Sequence, residues 1–263
     1  MIIDAHAHIY PEKIAENAVK GIEQFYDISV SMNGTVSGLI QAGDEAGVSR
    51  FLVQSVATVP EQVQSINNFI ARSVEEYPDR LIGFGTLHPD YADISCEVAR
   101  MKELGLRGIK LHPDFQRFNL DDEKAFPIYE LAEENGLPIL FHIGDPRQDY
   151  SAPERLLKVV EKFPKLKAIG AHLCGWTMWD RGVELLEHSG VYADCSSTLY
   201  AIEPEHAAEL IRRIGTDRVL WGTDYPMWGA KEELERFSRL PLTEQERENI
   251  LGLNLLRLLG EIE

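Results

Sequence analysis

The stretch Pro127-Ile-Tyr-Glu-Leu-Ala-Glu-Glu-Asn-Gly-Leu-Pro-Ile-Leu-Phe-His-Ile143 contains one complete unit of the fold. It opens on proline, runs as a helix to Asn135 and stops at Gly136, the asymmetry expected of helix ends. An apolar strand, Pro138–Ile143, follows at once. The same pattern recurs in both directions along the chain. The strand candidates are Ile2–His8, Arg50–Val56, Leu81–Leu87, Gly108–His112, Pro138–Ile143, Ala168–Leu173, Val191–Cys195 and Val219–Thr223. After the first they return at roughly 23 to 31 residues, the length of a strand plus a crossover helix. Between them, Glu61–Tyr77 carries Val63, Ile66, Phe69, Ile70 and Val74 at helical spacing, and Ile94–Leu104 stops at Gly105. Ser151–Glu154 and Thr243–Glu246 have the form of capping boxes. Apolar strands alternating with helices indicate a parallel sheet covered on its outer face. Eight such units predict an α/β fold, a closed (β/α)8 TIM barrel, as one domain over residues 1–263. A doubly wound open sheet is the alternative.

The connection between the first two strands is the longest. It contains Glu12–Lys20 as a helix and then a polar, glycine-bearing stretch from Tyr26 to Gly38. That stretch reads equally as a lid over the barrel mouth or as a mobile surface loop.

Composition narrows the partners. The net charge of -17 argues against nucleic acid and anionic membranes, which require a basic footprint. No apolar run reaches the length of a membrane span, and Met1–Tyr10 lacks the basic and apolar regions of a secretory signal. Cys96, Cys174 and Cys195 are odd in number and widely spaced, which fits a reducing cytoplasm, the expected location.

A barrel interior is normally packed with branched apolar side chains, so polar residues at the C-terminal ends of strands are chemically informative. Strand one ends in His6-Ala-His8, two imidazoles two residues apart and therefore on one face. Strand five ends at His142, strand six at His172 and strand eight at Asp224. Taken singly, each is explained by core packing or by a turn. Four strand ends departing in the same direction are not, and imidazoles with a carboxylate are the ligands of Zn2+ and its neighbours. Strand four adds Lys110 and His112, also on one face. His88, His188 and His206 read as peripheral, and Trp176, Trp179 and Trp228 as rim packing.

The segments DAHAH, GIKLHP, FHIG, AHLCGW and GTDYP, spanning Asp4 to Pro226 in that order, resemble the amidohydrolase superfamily. The resemblance is to the amidohydrolase family 2 branch, which includes aminocarboxymuconate-semialdehyde decarboxylase-like enzymes. It implies a divalent metal, Zn2+ foremost, held at the C-terminal ends of the strands by His6, His8, His142 and Asp224. It implies Asp224 and His172 as catalytic groups. One ion is expected; in the two-metal alternative Lys110, modified by CO2, bridges the ions and His172 is a ligand. Cys174 stands where the resemblance leads one to expect glycine. Around the metal, His112, Lys110, Arg147 and Tyr225 are candidate substrate contacts, with Arg117 and Tyr150 as further anion-binding candidates. The implied activity is hydrolysis of an amide, ester or lactone bond of a small molecule through a metal-activated water. The alternative on the same site is non-oxidative decarboxylation or hydration of a small unsaturated or aromatic carboxylic acid. A binding protein without catalysis is a third reading. The partner is a small molecule, a carboxylate among the candidates, and the resemblance with the exposed helical ring makes a homodimer the expected assembly.

Overall fold

In the computed structural model, which describes residues 1–262, all eight strand candidates form strands of one parallel sheet ordered as in the chain. They are β1 Ile3–His8, β2 Arg50–Gln54, β3 Leu81–Thr86, β4 Gly108–Leu111, β5 Ile139–Phe141, β6 Ala168–Gly170, β7 Tyr192–Asp194 and β8 Val219–Leu220. The sheet closes on itself. Ala5 N–H donates to Trp221 O at 2.9 Å, Asp224 N–H to His6 O at 2.8 Å and His8 N–H to Tyr225 O at 2.7 Å. The result is the TIM barrel.

Side-chain alternation decides what lies inside. Leu52, Phe84, Leu140, Ile169 and Leu220 fill the interior, capped from below by Leu255, Leu256 and Leu258 of the C-terminal helix. Their strand neighbours, such as Phe51, Val53, Ile139, Phe141, Val219 and Trp221, pack outward with the helices. This is why the strands read as continuous apolar runs. Two residues beyond the interior layer the chemistry changes. Leu52 gives way to Gln54, Gly108 to Lys110, Leu140 to His142 and Tyr192 to Asp194, all buried. A register shift in β1 between Asp4 and Ala7 leaves Ala5 in the interior cluster and Ala7 in the outer one.

Most strands end earlier than their apolar runs. His142, His172 and Asp224 lie beyond the ladder, where the backbone bends to present them at the mouth. At His172, Leu173 and Cys174 the bend is left-handed, with φ of 59°, 48° and 63°. Glycine is the residue at ease there, so the cysteine occupies a strained position.

The first long connection differs from expectation. Helix α1 runs over Glu12–Tyr26 rather than ending at Lys20, and α2 occupies Val36–Ala46. The cover over the mouth is therefore α1, and only residues 27–35 remain as a loop. The capping box at Thr243 is present, with Glu246 returning the bond. At Ser151 it is absent: the helix Pro153–Lys162 has no side-chain cap, because the Ser151 hydroxyl is spent on Asp114 Oδ2 at 2.6 Å and Gly144 O at 2.9 Å. No helix of the described residues is long and apolar enough to cross a membrane.

Candidate metal centre

At the barrel mouth a cavity of about 290 Å³ is lined by His6, His8, His112, His142, His172 and Asp224. Its opposite wall is apolar and comes largely from α1: Ala18, Ile22, Phe25 and Tyr26, with Val56, Phe115 and Met227 beside them.

His6 Nδ1 lies 2.9 Å from Asp194 Oδ2. A carboxylate accepts only, so His6 carries its proton on Nδ1 and keeps a lone pair on Nε2. That Nε2 faces His8 Nε2 at 3.1 Å and Asp224 Oδ1 at 3.3 Å, while His8 Nε2 and Asp224 Oδ1 are 3.6 Å apart. Ligand atoms bound at about 2.1 Å around one ion are separated by roughly 3.0–3.4 Å, so the triangle has the size of a coordination face. The orientation of Asp224 is fixed from behind: Ser197 Oγ donates to Oδ2 at 2.6 Å, and Trp228 Nε1 donates to Ser197 Oγ at 3.0 Å.

A second pair of bare nitrogens lies alongside. His172 Nδ1 faces the Ser196 carbonyl at 3.0 Å and so bears the proton, which leaves Nε2 with a lone pair. His142 Nε2 faces the Gly144 carbonyl at 3.1 Å, and its Nδ1 lies 3.2 Å from His172 Nε2. Lone pairs facing each other at this distance repel unless a cation is shared. The donor set therefore fits a divalent ion. The structure gathers His6, His8 and Asp224 into one cluster and sets His142 beside His172 in the same cavity, outside that triangle.

The electrostatics agree. Burial, reinforced by Lys110 and neighbouring imidazoles, holds His6 and His8 well below the usual imidazole range. Burial takes His172 down to about 4. These rings are neutral at pH 7, the form that binds metals. Burial pushes the Asp224 carboxyl up to about 7, opposed by Ser197 and Lys110.

Lys110 is fully buried beneath the cluster, with Nζ 3.3 Å from His6 Nε2. Burial lowers it to about 8, opposed by Asp224 and Asp194. It does not line the cavity. His112 does, but as the middle ring of a stack, 3.8 Å from Phe115 and 3.9 Å from His142 with interplanar angles of 8° and 6°. His112, Asp114 and His142 are close enough to suggest a second metal group. Rings stacked face to face direct their lone pairs along parallel planes and cannot both converge on an ion.

Two expected substrate contacts are engaged elsewhere. The Arg147 guanidinium donates to both oxygens of Asp145 at 2.9 and 2.7 Å and to Phe25 O at 2.8 Å, and so clasps the end of α1. The Tyr225 hydroxyl donates to Asn33 Oδ1 at 2.8 Å and sits 3.1 Å from Thr35 O, anchoring the loop ahead of α2. Neither lines the cavity. Conversely, Asp194, Ser196, Ser197 and Tyr26 belong to the site without having been singled out in the sequence. Asp194 lay inside the seventh strand candidate, where a buried charge has no packing role. Tyr26 continues the spacing of Ala18, Ile22 and Phe25 along α1.

With this geometry in place, comparison with known proteins is informative. A model of the amidohydrolase family matches residues 3–260. A 2-amino-3-carboxymuconate-6-semialdehyde decarboxylase of Dictyostelium discoideum is 28% identical over 243 residues, covering 75% of this chain. The match spans 66% of that relative's length. Among solved structures, an uncharacterised TIM-barrel protein of Bordetella bronchiseptica superposes with a TM-score of 0.82 at 21% identity, covering 99% of this chain and 98% of that one. The 5-carboxyvanillate decarboxylase of Sphingomonas paucimobilis gives 0.75 at 17% identity, covering 98% of each chain. A dihydroxybenzoic acid decarboxylase of Polaromonas, with bound manganese and 2-nitroresorcinol, gives 0.76 at 18%, covering 98% of this chain and 96% of that one.

Proposed function

Since this chain belongs to the amidohydrolase family, we propose that it is a metal-dependent decarboxylase that releases CO2 without oxidation from a small aromatic or unsaturated carboxylic acid. This reverses the order in which the sequence ranks the two chemistries. Named relatives that are decarboxylases support it, as does the cavity itself. The observation that carries it is the apolar wall of Ile22, Phe25, Val56, Phe115 and Met227 facing the polar cluster. Such a wall seats a flat apolar body and strips water from a carboxylate pressed against the cluster, a ground state that loss of CO2 relieves.

His6, His8 and Asp224 are the residues assigned to one divalent ion, with His142, which lies outside their triangle in the same cavity, as the expected fourth ligand; when bound the ion supplies concentrated positive charge beside the substrate carboxylate. Manganese in one structural neighbour makes Mn2+ a candidate equal to Zn2+. Asp194 holds His6 in the required tautomer. When CO2 leaves, the carbon it departs from must gain a proton. Asp224, which lines the cavity and is oriented by the Ser197 hydroxyl on Oδ2, is assigned that delivery. His172 stays neutral and offers Nε2 as an acceptor. Protein loaded with Mn2+ or Zn2+ and incubated with hydroxybenzoates and unsaturated diacids is expected to evolve CO2 in step with substrate loss. Turnover of lactones or esters with no CO2 from any acid would restore hydrolysis.

A further inference from the structure

We infer that Trp228, acting through the Ser197 hydroxyl, is a positioning residue that limits Asp224 to one ligand oxygen and so keeps a place on the ion open for substrate; this rests on the assignment of Asp224 to the ion made above. The two oxygens of Asp224 have separate surroundings. Oδ1 faces His6 Nε2 at 3.3 Å and His8 Nε2 at 3.6 Å. Oδ2 instead accepts from Ser197 Oγ at 2.6 Å. A carboxylate can engage a cation through one oxygen or through both. A catalytic ion needs a vacant position, and a second Asp224 oxygen would fill it.

The direction of the relay follows from what each group can do. An indole N–H only donates, and Trp228 Nε1 donates to Ser197 Oγ at 3.0 Å. A carboxylate only accepts, so the single Ser197 hydroxyl proton goes to Asp224 Oδ2. Three segments are joined in this way. Ser197 follows β7, Asp224 follows β8, and Trp228 precedes the helix Ala230–Ser238. Ser197 is buried, and both it and Asp224 have left-handed backbone, with φ of 45° and 58°. That conformation is costly for a residue with a side chain and persists only where its surroundings enforce it. The indole is itself held. The Arg236 guanidinium lies 4.4 Å from its ring centre and the Tyr200 ring 4.8 Å away. Arg236 is tethered in turn to Glu232 and Glu233 of its own helix. Hydrogen bonds in series polarise one another, so loss of the indole N–H is felt at the carboxylate. The Ser197 hydroxyl is then free to turn, which releases Oδ2 toward the ion.

The test uses full-length protein loaded with Co2+, whose visible absorption loses intensity as its coordination number rises. Trp228→Phe keeps a ring beside Arg236 and Tyr200 and removes the N–H; Ser197→Ala removes the hydroxyl. Both variants are expected to show a weaker visible band per bound ion than the wild type, Ser197→Ala the more so. The Kd for Co2+ in Trp228→Phe is expected to change by about tenfold. A merely structural role for Trp228 would move Tm and leave the band as it is. An unchanged band per bound ion in either folded variant overturns the proposal, whatever the Tm. Circular dichroism identifies a variant that has not folded, and the other then decides. CO2 release by the wild type with unchanged bands in the variants would remove the relay and leave the decarboxylase; weakened bands in a protein that releases no CO2 from any acid would do the reverse.

Discussion

Asp194 does not line the cavity, yet it organises the residues that do. It accepts from the His6 ring at 2.9 Å, from the backbone of His172 at 3.3 Å and from the backbone and hydroxyl of Ser196 at 3.0 and 2.5 Å. It thereby sets the tautomer of one imidazole and the position of another. Partners of this kind typically govern affinity by ten- to a hundredfold, roughly. Asp194→Asn is thus expected to weaken metal binding by about 10–100-fold while the fold persists. Chelator competition with circular dichroism on the same sample checks it; wild-type affinity in Asp194→Asn would remove the role assigned here. Strain is the complementary residue-scale feature. His172 to Cys174 hold three successive left-handed conformations, and burial pushes the Cys174 thiol above its usual range. That cysteine is packed and unreactive, tolerated in a conformation suited to glycine.

At the scale of elements, the roof matters most. Helix α1 supplies much of the apolar wall and is fastened at its end by Arg147, which bridges Asp145 and Phe25 O. Arg147→Ala is expected to speed hydrogen exchange in the last turn of α1 and to raise KM several-fold with a smaller change in kcat, since positioning is lost but the cluster is intact. Unaltered exchange in residues 20–26 would show that the clasp is superfluous. Elements also explain what the sequence disclosed. The strands and their polar ends were legible because period-two alternation and apolar runs are local signals, and His6, His8 and Asp224 follow from them. Asp194 was not singled out, because a single acid within a strand acquires meaning only when a distant histidine turns toward it. Arg147 and Tyr225 lie at strand ends, as substrate contacts do, yet their partners Phe25, Asn33 and Thr35 come from a connection far away in the chain. The last turn and a half of α1 runs past the expected end at Lys20 for the same reason: what holds it is distant in the chain, Phe25 packing against Phe115 at 4.7 Å.

For the whole molecule, buried carboxyls shape the response to pH. Glu233, in the helix Ala230–Ser238, is buried with Arg236 as its ion-pair partner and one oxygen, Oε2, unpaired. Burial raises it from 4.5 to about 7. The native state then holds this proton more tightly than the unfolded chain does. Its contribution to stability is fully present below pH 4.5 and is lost as pH rises through about 7. Asp4 and Asp114, both raised from 3.8 to about 7 by burial, act in the same direction. Glu233→Gln should therefore flatten the decline of Tm across that window and melt about 2 °C or more above the wild type at pH 8. A parallel pair of Tm–pH curves would refute it.

Barrel closure has a consequence for biosynthesis. The first strand finds its last partner only in the segment 221–225, and His6 meets Asp194 across a separation of 188 residues. The interior is sealed from below by residues 255–258. No nascent chain still lacking β7 and β8 can assemble the triangle of His6, His8 and Asp224, whatever helices and hairpin-sized units it has already formed. Contacts so distant in sequence are the slow ones to make. Capture of the proposed ion by this triangle would therefore be a late event, tied to ring closure.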